Sequence, residues 1–370
     1  MSDGSKKTLL HIGLFIATFV TTTLAGAEWS HGKSIFYGEF GWNDFVGGMS
    51  FSIPFLLVLT VHEFGHYFAA RYHNVNSSLP YYIPLPPFPL SIGTLGAVIR
   101  LRQRVPTIKQ NFDIGIAGPL AGFVMAILIL IYGFTNLPPA EYIFQIHPEY
   151  EEYGLDYAQH VYNEDGPQNI VLGTNLIFVF FERYVADPTR LPNHHEMMHY
   201  PFLFAGFLSL FFTALNLLPV GQLDGGHVLY GLFGQKRHQI IASVVFVLFM
   251  GYAGLGLQYI EPSNSVNDLL VAIPLYVFFL FLVLRGLQFP PRDTIMVSLA
   301  IFAVQFLLMR LFPGIEGFPG WLLFGFIVGR FVGIAHPKAE IEEPLDSSRQ
   351  FLGWLALVVF VICLSPSPLR

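Results

Sequence analysis

The sequence predicts an all-α polytopic membrane protein with about eight to nine transmembrane helices. Two observations carry that expectation. The 370 residues are 53% hydrophobic and only 12% charged, against about 25% charged in an ordinary soluble chain. The apolar residues also fall in several runs of about 18 or more, long enough to cross a bilayer. A net charge of −6 makes no case for a nucleic-acid partner. The single cysteine, Cys363, excludes an internal disulfide and any cysteine-based metal cluster.

In chain order, spans are expected at about 9–27, 45–71, 111–135, 201–219, 238–257, 268–285, 294–312, 318–335 and 351–365, the last being short. Lys6 and Lys7 followed by the apolar run Leu9–Leu24 also have the form of a cleavable leader. An uncleaved first span is expected, because the run is long for a leader and no soluble secreted domain follows. Segment 170–185 is apolar but ends in Glu182 and Arg183, and reads as a helix on or near the surface. Three segments follow from this: a first span with its loop (1–44), a middle core (45–237) and C-terminal membrane helices (238–370). No internal repeat is visible, which counts against a transporter built from inverted repeats.

Basic residues set the expected orientation. With a cytoplasmic N-terminus, Lys6, Lys7, Arg71, Arg100, Arg102, Arg104, Lys109, Lys236, Arg237, Arg285, Arg292, Arg330, Lys338 and Arg349 fall inside, fourteen of the nineteen basic residues. Lys33, Arg183, Arg190, Arg310 and Arg370 fall outside. Region 136–200 is then external. Its first half is acidic, with Glu141, Glu149, Glu151, Glu152, Asp156, Glu164 and Asp165. A solvated loop explains it; a gate or docking surface is the alternative.

The second span carries His62, Glu63 and His66 inside its apolar run. A charge at the centre of a membrane helix costs about 2.5–3.5 kcal/mol on insertion scales, so it is kept where it has a task and a partner. His-Glu-x-x-His places both imidazoles on one helical face, where they can bind one Zn²⁺, with Glu63 beside them as general base. A buried polar cluster gluing helices together is the plain alternative, but three adjacent ionisable groups are a poor adhesive. A catalytic zinc needs a third protein ligand. No Asp or Glu occurs between His66 and Asp113, so that ligand comes from elsewhere.

Asp224, in the stretch Asn216-Leu-Leu-Pro-Val-Gly-Gln-Leu-Asp-Gly-Gly-His227, is expected at the cytoplasmic end of a span broken by Pro219. Its depth would match that of His62. A turn or cap aspartate in a Leu-Asp-Gly-Gly sequence is an equally simple reading. His227 is either a supporting group near Asp224 or a plain loop histidine. His11, His73, His238 and His336 need no function.

A second match, His195-Glu-Met-Met-His199, lies between Pro192 and Pro201, so any helix there is about two turns at most. At about 1.5 Å per residue it would stand some 25–30 Å from Asp224. It is expected to be a chance match at the surface, with a secondary metal site using His194 as the alternative.

Together, His62-Glu63-x-x-His66 within a span and Asn216-x-x-Pro219-x-x-x-x-Asp224-Gly225 resemble the site-2 protease family of intramembrane zinc metalloproteases, the M50 type. Gly93–Ile99 resembles that family's re-entrant β-hairpin near the active site. Gly115-Ile-Ala-Gly-Pro-Leu-Ala-Gly122 resembles its small-residue third-helix motif. The likeness covers about residues 45–235, and more loosely His336-Pro337 and Pro344-Leu345-Asp346. It is nearest the plastid and bacterial branch that lacks a PDZ domain. It implies one zinc per chain, held by His62, His66 and Asp224, with Glu63 activating water and Asn216 near the metal holding substrate or oxyanion. The hairpin would offer a strand edge to an unwound substrate. The implied function is cleavage of transmembrane segments near the cytoplasmic face of a bacterial inner or plastid-type membrane. The implied partners are membrane-protein substrates and the lipid bilayer. A metal transporter using the same three ligands as a transit site is the competing expectation.

Overall fold

Thr18, Thr22 and Thr23 are fully buried along one side of the first helix, and this polar stripe marks where that helix is covered. The computed structural model describes residues 3–88, 91–162 and 170–369; Glu164, Asp165 and Arg370, named above, lie outside the described residues. In chain order the first elements are α1 (Asp3–His31), α2 (Trp42–Tyr72), β1 (Tyr81–Pro84), β2 (Thr94–Val98) and α3 (Ile108–Thr135). Then come α4 (Ala158–Val161), α5 (Leu176–Tyr184), α6 (Pro201–Asn216) and α7 (Asp224–Ala253). Last are α8 (Val266–Leu284), α9 (Pro291–Leu311), α10 (Gly320–Ile327) and α11 (Ser347–Cys363). Helix dominates, as expected, and the described strands form one two-stranded antiparallel sheet.

Among the described residues, five helical segments are long and apolar enough to cross a membrane: Ser5–His31, Trp42–Tyr72, Ile108–Thr135, Val266–Leu287 and Pro291–Leu311. Shorter apolar helices are Pro201–Asn216, Gly320–Val332 and Ser347–Cys363. The chain is therefore a multi-pass membrane protein in the making of its helices. Several expected bounds shift. The span expected at 201–219 stops at Asn216, ahead of Pro219. The span expected from 238 begins earlier, because α7 already starts at Asp224 and breaks at Gly234 (φ 71°, ψ 174°). The span expected at 318–335 is eight residues of α-helix, then a five-residue π-helix, Val328–Val332.

The chain divides into two compact units: 1–104, 117–215 and 358–370; and 105–116 with 216–357. In the first, α1 lies along α2. A Cβ on Gly26 would stand 2.4 Å from the Gly48 carbonyl oxygen, and one on Gly48 would stand 2.1 Å from the Thr23 carbonyl oxygen. Small residues thus let the two backbones touch, as helices in lipid require. The Thr23 and Ser52 hydroxyls share a hydrogen bond of 2.8 Å at this contact.

The hairpin is fastened to the same helices. Tyr81 pairs with Val98 and Tyr82 with Ala97. The Thr21 hydroxyl donates to the Gly93 carbonyl (2.6 Å), the Trp29 indole to Ser91 (2.9 Å) and His11 Nδ1 to Pro80 (3.0 Å). Gly93 has φ 79°, and a Cβ there would meet the Thr21 carbonyl oxygen at 2.3 Å, so no other residue fits. Thr60 on α2 donates to the Leu56 carbonyl and so accepts from the Tyr82 hydroxyl, 2.8 Å away.

In the second unit, α9 buries Thr294, Ser298, Ile301, Gln305 and Met309 at helical spacing. Gln305 is 1% exposed. Its amide donates to the carbonyls of Met250 (3.1 Å) and Gly251 (2.9 Å), and its oxygen accepts from the Tyr276 hydroxyl (3.1 Å). One side chain thereby ties α7, α8 and α9 together. Gln305→Leu is expected to lower stability by about 1–3 kcal/mol, since it strands a buried hydroxyl and removes three bonds. Thermal unfolding of the purified protein in detergent measures this, and Tyr276→Phe should fall by less.

Candidate metal centre

The buried residues of α2 include Gly48, Phe51, Ser52, Phe55, Leu56, His62, Glu63, His66 and Ala70. Their spacing of three and four defines one face, and the His-Glu-x-x-His motif lies on it. His62, Glu63 and His66 are 6%, 5% and 7% exposed. The two imidazoles meet through their Nε2 atoms, 3.1 Å apart, with ring planes at 73°. Zn–N bonds of about 2.0–2.1 Å at tetrahedral angles place two ligand nitrogens about 3.3 Å apart. The pair thus fits a shared divalent ion with little adjustment.

The cradle behind the pair is made of glycine. A Cβ on Gly118 of α3 would stand 2.2 Å from His66 Nε2, and one on Gly122 would stand 3.1 Å from the His62 Cβ. A Cβ on Gly65 would stand 2.6 Å from the Ala117 carbonyl oxygen. The small-residue motif read from the sequence therefore has a concrete use: α3 passes directly over the two rings. Thr60, two residues before His62 on α2, carries the bond to Tyr82, so the hairpin is registered to the same helix.

Asn216 and Asp224 belong to the second unit. Asn216 ends α6 and Asp224 opens α7, half-buried, at the positive end of that helix's dipole. The intervening turn is tight. Gly221 has φ 61°; a Cβ on Gly225 would stand 2.0 Å from the Leu217 carbonyl oxygen, and one on Gly226 would stand 2.2 Å from that of Gly221. His227 is on α7 rather than in a loop, and its Nδ1 is 2.8 Å from His336 Nε2. His336, expected to have no role, is buried and stacks on Tyr230. The structure thus brings His62, Glu63 and His66 onto one face, and sets Asn216 and Asp224 at the two ends of one chain reversal.

Comparison with known proteins adds the family. The model of Peptidase family M50 matches residues 50–253. The chain belongs to peptidase family M50. It is 27% identical over 227 residues to "Probable zinc metalloprotease EGY2, chloroplastic" of Oryza sativa subsp. indica, covering 60% of this chain and 34% of that protein. It is 30% identical over 204 residues to "Probable zinc metalloprotease EGY1, chloroplastic" of Arabidopsis thaliana, covering 54% and 31%. The match thus spans about a third of the length of these relatives. No solved structure gives a significant match.

For this M50 chain one expectation needs correction. His195–His199 is not a surface stretch: Glu196 and His199 are 2% and 9% exposed. It forms a six-residue 3-10 helix, His194–His199, in which residues three apart eclipse. Glu196 and His199 therefore share a side, whereas His195 points away to stack on Tyr162. His194 is exposed and faces Glu182 instead.

The glycine cradle yields a graded test. Gly118→Ala must displace the His66 ring, while Gly122→Ala asks His62 to give by a few tenths of an ångström. Zinc affinity, measured by competition with a chromogenic chelator, is expected to fall by about tenfold or more in Gly118→Ala and by clearly less in Gly122→Ala.

Proposed function

We propose that this chain is a zinc-dependent intramembrane endopeptidase that cuts transmembrane segments of membrane proteins near the cytoplasmic face. The observation that carries the reading is the buried Nε2–Nε2 pair beside Glu63, on a membrane-length helix of an M50 chain. The names of the relatives, probable zinc metalloproteases, support it. His62 and His66 hold the metal, and Asp224 is the third ligand. Zinc, when bound in such a site, polarises the scissile carbonyl and brings the pKa of its water towards about 7.

The chain's own groups do the rest. Glu63 accepts a proton from the attacking water and returns it to the leaving amine nitrogen. Asn216 donates to the substrate carbonyl as negative charge develops there. The free edge of the hairpin takes up backbone groups of the substrate. A peptide bond within a helix is shielded, so a membrane substrate must unwind locally, and in lipid its freed N–H and C=O groups need partners at once. Eight to nine spans, with the N-terminus cytoplasmic, put the His62 end of α2 towards the side where most basic residues lie.

The test is cleavage of a membrane-spanning reporter in proteoliposomes. Glu63→Gln should lower the rate by about 10²–10⁴-fold while zinc stays bound, because proton transfer and metal ligation are separate tasks. A fully active Glu63→Gln protein would sink the proposal. Asp224→Asn should lose both zinc and activity; retention of full zinc would remove Asp224 from the ligand set.

A further inference from the structure

A second group of metal-ligating side chains lies entirely within the first unit and shares no residue with α2. His147 sits between two 3-10 helices, Ala140–Gln145 and Pro148–Asp156. Its Nε2 is 3.3 Å from His199 Nε2 and 3.9 Å from Glu196 Oε2, and His199 Nε2 is 3.4 Å from Glu196 Oε2. Tetrahedral zinc with bonds of about 2.0–2.2 Å separates its ligand atoms by about 3.3 Å. The three distances are thus close to the edges of one such tetrahedron.

The far side of each ligand is already oriented. His147 Nδ1 lies 3.0 Å from Glu149 Oε1, and His199 Nδ1 lies 3.2 Å from the Ser30 carbonyl oxygen. Both oxygens accept, so each Nδ1 carries the hydrogen and each Nε2 turns a lone pair to the centre. Glu196 Oε1 accepts from the Tyr162 hydroxyl, leaving Oε2 towards the two nitrogens. The two Nε2 atoms and Glu196 Oε2 thus converge as acceptors on one point, where a single cation satisfies all three.

We propose that His147, Glu196 and His199 form a second divalent-metal site, suited to zinc, that clamps the 140–162 segment to the turn ahead of α6. The side chain of His147 is 28% exposed, so solvent supplies the remaining position. That segment has a small apolar core of its own, Ile143, Tyr150 and Tyr157, with Tyr162 packed against it. The metal joins this core to Glu196, His199 and, through the Ser30 carbonyl, the end of α1.

The full chain carrying His62→Ala and His66→Ala removes any contribution from α2, so the outcome is independent of the proposed catalytic zinc. Purified through a histidine-free tag, stripped with chelator and re-equilibrated with zinc sulfate, it should retain one equivalent by elemental mass spectrometry and gain Tm. Adding Glu196→Gln, which preserves shape, or His147→Ala, at a partly exposed position, should weaken zinc binding at least about tenfold and abolish that gain. Cobalt(II) in the parent should give the strong visible band of a tetrahedral site, a readout needing no further substitution. No bound zinc and no cobalt band in the parent, or variants that bind as the parent does, would show a hydrogen-bonded cluster only and overturn the proposal.

Discussion

The His-Glu-x-x-His site in the first unit rests on how closely α3 passes over α2. Two imidazoles and a carboxylate on a helix of membrane length must be kept from lipid. The covering helix must also leave the Nε2 edges unobstructed. Gly118 and Gly122 meet both needs, since a side chain at Gly118 would collide with the His66 ring and one at Gly122 would crowd His62. Close helix contact in lipid is commonly achieved with small residues for packing alone. The α1–α2 contact through Gly26 and Gly48 works in the same way further along the helix.

The His62–His66 pair was legible because an insertion penalty makes its spacing meaningful. On a soluble helix the same five residues would have said much less. The glycine motif was legible as a motif, but its use was not, because a Cβ clash is a property of two helices. Helix ends were harder. Asp224 reads as a turn residue when followed by two glycines, yet it opens a thirty-residue helix, because those glycines let the first turn of α7 lie against the carbonyls of Leu217 and Gly221. Gly234 then interrupts that helix in a left-handed conformation, which hydropathy does not register.

Region 136–200 was the least readable part. Its acidic residues spoke for a solvated loop, and charge count carries no information on which carboxylate is covered. Glu196 is covered by Tyr162 and neighbouring aromatics from a stretch some tens of residues earlier, and the 3-10 geometry pairs it with His199 rather than with His195. His147 drew no attention because nothing near it in the chain repeats a ligand spacing. The signal that could have found it is the aromatic density between Tyr142 and Tyr162, too high for a segment that stays in water.

The fastening of the hairpin has a consequence for α1. Of its hydrogen bonds to helices, those from His11, Thr21 and Trp29 are spread along nearly the full length of that helix, and Gly93, at positive φ, is fitted to its backbone. The first helix is therefore a spine for the strands and not merely an anchor in lipid. A shortened version of the protein beginning at α2 would keep every motif residue and yet surrender the scaffold that holds its only sheet, among the described residues, in register.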